Sequence, residues 1–286
     1  GALPPADEVT VEANPETVTW ELAGLLRAHG VTRVSLGAQT FRGRLLDVLE
    51  RRATPETIRA SVRTLRETGF DNLSLDLIYG IPGQAPADLE ADLADVLELG
   101  PEHVSAYELE AKPGTRFTTA HGDELLRQSD AMEGYLETVV ATLTSAGFRW
   151  YETANFCVAD RRARHNLGYW KARDYLGLGV GAVSTLGDLR RRNAPSLARY
   201  VGALTAGAEP PREIEQLDRR TKAVERVMLA LRLDEPLPLA ALGDVVDATA
   251  LERLLAGGLV ESVDAGIRLS PRGRMLGDAV TAELLL

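Results

Sequence analysis

Residues 72 to 84 read NLSLDLIYGIPGQ, and the period of two in this stretch constrains the chain more than any other feature. As a strand it sends Ser74 and Asp76 to one side and Leu73, Leu75 and Leu77 to the other, before a Gly-Pro-Gly loop. A buried carboxylate is costly unless something receives it. Two placements satisfy that condition. In one, the polar side of a core strand faces a binding site; in the other, the strand is antiparallel and half-exposed, with Ser74 and Asp76 in water.

The signature recurs. EVTVEANP at 8–15 puts Val9 and Val11 on one face and Thr10 and Glu12 on the other, while RVSLGAQTF at 33–41 separates Val34 and Leu36 from Ser35, Gly37 and Gln39. Helical patterns lie between, at 18–29, 45–49, 55–68 and 86–97, with a further strand at 103–109. Strands alternating with helices at intervals of roughly 25–40 residues predict parallel βα units, an α/β class. Glu12, Gln39 and Asp76 then meet at the C-terminal ends of the strands, where α/β folds bind small polar ligands.

Composition agrees and excludes other classes. At 286 residues and 45% hydrophobic, the chain can bury an α/β core and carry a second, smaller domain. It has no membrane-length apolar run and no secretory signal at its start, which reads as cytoplasmic. A net charge of −10 argues against a broad nucleic-acid surface. The single cysteine, Cys157, excludes an internal disulfide and any multi-cysteine metal site within these residues, and reads as a small buried residue. From about Asp218 the pattern changes to an amphipathic helix, a break at Pro236 and Pro238, short helices and two short strands around residues 264–266, predicting domains at 1–217 and 218–286. Acidic residues outnumber basic ones after Thr221, the wrong balance for a DNA-binding module.

Six segments carry a resemblance in order: EANPE at 12–16, VSLGAQTF at 34–41, LDLIYGIPGQ at 75–84, YELEAKPGT at 107–115, AGFRWYETANF at 146–156 and HNLGYW at 165–170. Together they resemble the radical SAM family of oxygen-independent coproporphyrinogen III oxidase-like proteins, and within it the HemW heme chaperone branch. The resemblance implies a (β/α) barrel of the radical SAM type with a winged-helix-like C-terminal domain. It implies S-adenosylmethionine contacts for Glu12, Gln39, Arg51 and Asp76; the alternative for Arg51 is a solvated helix residue beside Arg52. HNLGYW resembles the HNxxYW motif of the chaperone branch, which implies a heme site at His165, Asn166, Tyr169 and Trp170 with His165 as a candidate iron ligand. Arg161, Arg162 and Arg164 are candidate propionate partners. In the alternative, Asn166 caps a short helix and the aromatic residues pack it in place. Relatives commonly place a His where this chain has Val183, and the run Arg190–Arg192 reads equally as an anion site or a solvated turn.

The family motif CxxxCxxC, whose thiolates hold a 4Fe-4S cluster, is absent from these residues. The opening GALPPADEVTVEANP resembles the end of the helix before the third barrel strand, so the expectation is a partial barrel lacking its first strands in a truncated chain, with a cluster-less relative as the alternative. The function implied is heme binding and transfer to an unidentified acceptor protein. The alternatives are an S-adenosylmethionine-dependent coproporphyrinogen III oxidase and an interaction scaffold, which leaves open whether the chain is an enzyme. Reconstitution of this chain with iron and sulfide is expected to give no stoichiometric 4Fe-4S absorbance, whereas an N-terminally extended chain should give it. A stable stoichiometric cluster in the 286 residues would overturn the thiolate count.

Overall fold

The computed structural model describes residues 6–286, which fall into two compact units, 6–163 and 164–286. The first begins with β1 (Thr10–Ala13), α1 (Trp20–Ala28), β2 (Arg33–Gln39), α2 (Gly43–Val48) and α3 (Pro55–Glu67). It continues through β3 (Leu73–Tyr79), α4 (Pro86–Leu99), β4 (His103–Glu108), α5 (Arg116–Ser129), α6 (Met132–Ser145), β5 (Arg149–Glu152) and β6 (Asn155–Cys157). Local chemistry sets the helix starts: Thr19 and Thr54 accept hydrogen bonds from the amides of Leu22 and Thr57, and Pro55 and Pro86 occupy first-turn positions where no amide is needed. Helix α4 stops at Gly100, in the left-handed conformation.

The strands form one sheet in the order β1-β2-β3-β4-β6-β5, parallel from β1 to β4 and antiparallel at β6 and β5. Strand β3 is therefore central and parallel, not a half-exposed antiparallel strand. Leu73, Leu75 and Leu77 are buried on one face, and Ser74 is just as completely buried on the other. The crossover helices bring apolar stripes at helical spacing, Ile58, Val62 and Leu65 on α3 and Leu89, Leu93 and Val96 on α4, all buried. Each such side chain contributes about 1.5–3 kcal/mol when fully buried.

A polar clamp fixes the segment between β2 and α2. Asp92 of α4, 1% exposed, accepts from Thr40 Oγ1 at 2.6 Å, from the Phe41 amide at 2.6 Å and from Arg42 Nε at 3.3 Å. The loop after β3 is clasped in a similar way. Gln84 Oε1 accepts from the amides of Gly80 (2.7 Å) and Ile81 (3.2 Å), and its carbonyl accepts from Gln128 Nε2 at 2.9 Å. Gly80 has φ +77, a conformation that residues with a Cβ rarely adopt, so the turn favours glycine.

The second unit contains α7 (Arg164–Trp170), β7 (Val183–Leu186), β8 (Leu189–Asn193), α8 (Leu197–Thr205) and β9 (Arg212–Gln216), with β7, β8 and β9 an antiparallel sheet. There follow α9 (Arg219–Ala230), β10 (Leu237–Pro238), α10 (Ala248–Ala256), β11 (Val260–Val263), β12 (Gly266–Leu269), α11 (Pro271–Met275) and α12 (Gly277–Leu284). The expected boundary at 217/218 falls inside this unit at the start of α9, where Asp218 accepts from the Thr221 amide at 2.7 Å. A cluster of its own begins there, with Val227, Leu231, Val245, Leu254, Val260, Ile267 and Leu284 buried together. No helix among the described residues is long and apolar enough to cross a membrane.

Asp92→Ala would leave the Phe41 amide and the Thr40 hydroxyl buried without their acceptor. We expect a loss of about 2–4 kcal/mol, read as a lower urea midpoint at an unchanged slope. An unchanged midpoint would show that the clamp is dispensable.

Candidate functional site

Register converts the strand pattern into a polar surface. Glu12, Ser35, Ser74 and His103 lie side by side across β1, β2, β3 and β4, and one step further along Asp76, Ser105 and Asn155 form a second row. Ser35 Oγ lies 3.0 Å from both carboxylate oxygens of Asp76, Ser74 Oγ lies 3.3 Å from Oδ1, and Ser105 adds a further hydrogen bond. Burial pushes the Asp76 carboxyl above its usual range, and the three hydroxyls with the Arg33 guanidinium oppose that shift.

His103 is 1% exposed, with Nδ1 2.8 Å from Ser74 Oγ and Nε2 2.8 Å from Tyr151 Oη. Burial, with the charge of Arg33 second, holds its pKa well below the ordinary histidine value, so the ring is neutral. The Nδ1–H tautomer satisfies the whole chain: Tyr151 donates to Nε2, Nδ1–H donates to Ser74, and Ser74 donates to Asp76. The Tyr151 oxygen accepts from the Ala163 amide at 3.2 Å.

Gln39 ends β2 with φ 64, in the left-handed region, at a register shift where it pairs with Leu77. A Cβ on Gly37 would lie 2.8 Å from Gln39 Nε2, so the amide folds back over the glycine onto the side of Ser35 and Asp76. A non-glycine residue held at positive φ stores strain that the surroundings must maintain, and the Asp92 clamp follows immediately in sequence. Glu12 is exposed at the end of β1 and has no hydrogen-bond or ion-pair partner among the described residues. Arg51 follows α2, with Nη1 3.4 Å from Asn14 Oδ1, just beyond β1. The strand ends therefore bring Gln39 and Asp76 onto one surface with Glu12 on the neighbouring strand, while Arg51 reaches the segment that follows β1.

Three participants escaped the sequence pattern. Arg33 is 3% exposed, with Nε lacking a hydrogen-bond partner; Asn155 and Glu152 are buried and bonded to each other. Alternation places Arg33 with Ser35, but its burial is visible only once the sheet is assembled. Asn155 and Glu152 arrive on an antiparallel hairpin that leaves no periodic signal linking it to β4. Cys157, 1% exposed, is opposite His103 in β6.

In the second unit HNLGYW forms α7. The His165 and Tyr169 rings meet edge-on at 4.8 Å, Tyr169 and Tyr175 do the same at 4.6 Å, and Arg232 sits 5.5 Å above the Trp170 ring. Asn166 is the third residue of the helix rather than its cap, and His165 is exposed. Of the expected propionate partners, Arg161 pairs with Asp71 and Arg162 with Asp160. The run at Arg190 to Arg192 lies on β8, not in a turn, and Arg190 is held by Glu215 and Glu225.

The profile described as the Radical SAM superfamily matches residues 3–96, and that of the HemN C-terminal domain matches residues 217–276. The heme chaperone HemW of Mycobacterium tuberculosis (strain ATCC 25618 / H37Rv) is 38% identical over 285 residues, which cover 99% of this chain and 73% of the relative. The chain belongs to the HemW heme chaperone branch of the radical SAM superfamily. HemW of Bacillus subtilis (strain 168) is 31% identical over 97% of this chain and 76% of its own length, and HemW of Escherichia coli (strain K12) 32% identical over 90% and 69%. The solved structure of coproporphyrinogen III oxidase (HemN) from Escherichia coli, a radical SAM enzyme, matches with a TM-score of 0.78 at 24% identity, covering 96% of this chain and 69% of that one, and so shares the fold. Membership of the superfamily implies a 4Fe-4S cluster and S-adenosylmethionine. The cluster does not fit the residues in hand: one cysteine is present, and among the described residues no three His, Cys, Asp or Glu side chains are grouped to hold a metal.

Because the folded state raises the Asp76 pKa, it binds that proton more tightly than the unfolded chain does. The resulting stabilisation is complete in acid and is lost as pH rises from the ordinary carboxylate range through the folded value. Asp76→Asn is therefore expected to be more stable than wild type at neutral pH, with the gap closing in acid, as measured by urea unfolding across that range. A variant less stable at neutral pH would show that hydrogen bonds to the charged form outweigh its burial.

Proposed function

We propose that this chain binds heme through the α7 motif and passes it to an acceptor protein, and that the polar face of β1 to β4 holds S-adenosylmethionine. The observation carrying the heme reading is the 38% identity to a heme chaperone along 99% of the chain. The chemistry of the motif supports it. An exposed imidazole is a competent axial ligand for heme iron, and the edge-on stack of Tyr169 and Tyr175 orients the ring beside aromatic surface suited to a porphyrin.

For S-adenosylmethionine, the donor set is chemically suitable. The Glu12 carboxylate would accept from an amino group or ribose hydroxyls, the Gln39 amide can both donate and accept, and Arg51 offers a planar fork to a carboxylate. Asp76, already held by Ser35, would accept from a hydroxyl at the mouth of the sheet. We read the parallel strands as part of a (β/α) barrel and residues 218–286, with the β11–β12 hairpin, as a winged-helix-like domain. When bound, S-adenosylmethionine supplies a sulfonium centre; these side chains do no more than bind and orient it.

The oxidase reading rests on the fold shared with HemN, which at 24% identity says nothing of activity. His165→Ala should weaken heme affinity by roughly tenfold or more and shift the Soret band in an absorbance titration, whereas His29→Ala, whose ring is tied to the Leu25 carbonyl at 2.9 Å, should change neither. An unchanged spectrum and affinity for the His165 variant would return that ring to a packing role.

A further inference from the structure

The second unit contains a cavity of about 1230 Å³ lined by Tyr169 of the HNLGYW motif and by Arg190 of the arginine run. It exceeds the roughly 300–1,000 Å³ usual for small-molecule sites. Its apolar wall comes from Tyr169, Tyr175, Leu217, Met228 and Leu229. Cations dominate the remainder, and most are already engaged: Arg190 by Glu215 and Glu225, Lys171 by Glu235, Lys222 by Asp188, and Arg220 by the Leu286 carbonyl. Arg173, Arg219 and Arg226 differ. All three line the cavity, and no carboxylate among the described residues pairs with them.

We propose that this cavity takes the carboxylate edge of a flat dianionic tetrapyrrole, with Arg173, Arg219 and Arg226 as propionate partners. The inference rests on the heme reading above and adds to it the location of the anionic side chains. Three features converge on that ligand class. The volume accommodates a macrocycle larger than a typical metabolite. Aromatic and aliphatic side chains provide a wall for its face, continuous through Tyr169 with the His165 ring. Guanidinium groups without partners bind carboxylates in a bidentate manner and are the natural complement to two propionates. A chain with a net charge of −10 has little reason to gather unpaired arginines in one concavity unless an anion is received there.

The test compares hemin with hemin dimethyl ester, in which both propionates are capped, by absorbance titration of the wild-type chain and of Arg173→Gln/Arg219→Gln/Arg226→Gln. The wild type should prefer hemin by roughly tenfold or more, and the variant should lose that preference while keeping its affinity for the ester. Equal affinities of the wild type for the two ligands would overturn the inference, and that comparison needs no variant to fold. A variant that keeps the preference would overturn it too. If hemin binding in either of those cases still falls in His165→Ala, the heme reading survives and only the propionate assignment is lost. Failure of the wild type to bind hemin at all would overturn both.

Discussion

The hydrogen bonds that Ser35, Ser74 and Ser105 make to Asp76 are the condition on which the first unit depends. A carboxylate within a sheet is destabilising unless its oxygens are occupied, and here one hydroxyl comes from its own strand and one from each neighbour. That arrangement requires β2, β3 and β4 to be parallel and in their observed register, because a slip of one residue would replace each serine by a leucine, a valine or an alanine. The polar face thus specifies alignment as firmly as the apolar face does. It also extends to His103 and Tyr151, so the buried imidazole is a member of a satisfied network.

Strain enters where the network ends. Gln39 leaves the sheet through a register shift with a backbone conformation that glycine would adopt more easily, and its amide lies over Gly37, where any side chain would displace it. Nothing in local propensity favours this geometry. It persists because the next residues, Thr40, Phe41 and Arg42, are fixed to Asp92 on a different helix. A carboxylate distant in sequence thereby fixes the residues that follow the strand-end amide, and the stability cost of burying Asp92 is offset by the loop it orders.

Period-two alternation made Glu12 and Asp76 legible in the sequence, because strand side chains alternate whatever the fold, whereas Gln39 sits at a register shift opposite Leu77 that alternation does not foresee. The same rule located β1 to β4, and the Thr-Pro and Ala-Pro steps located the starts of α3 and α4. It could not find Asp92, whose role depends on which loop its helix covers, nor Glu152 and Asn155, which join through antiparallel pairing with β4. Arg161 and Arg162 have partners that the sequence does not reveal. Their spacing beside HNLGYW suggested anion contacts, yet Asp71 and Asp160 already hold them, a pairing that depends on tertiary proximity for Arg161 and on a local turn for Arg162.

Net charge misleads for a related reason. Summed over the chain it is −10, and summed over the last domain it is also acidic, which argued against a broad nucleic-acid surface and a DNA-binding module. Folding distributes those charges unevenly. Acidic residues are consumed in pairs with Arg42, Arg59, Arg66 and Arg190, so that the acidic total does not measure the field at any given surface. What an incoming anion meets is the local remainder, and at the cavity lined by Arg173, Arg219 and Arg226 that remainder is positive beside an aromatic wall. A carrier of an anionic, apolar ligand needs a surface where attraction and burial coincide, and the arginines and aromatic wall of this cavity supply both.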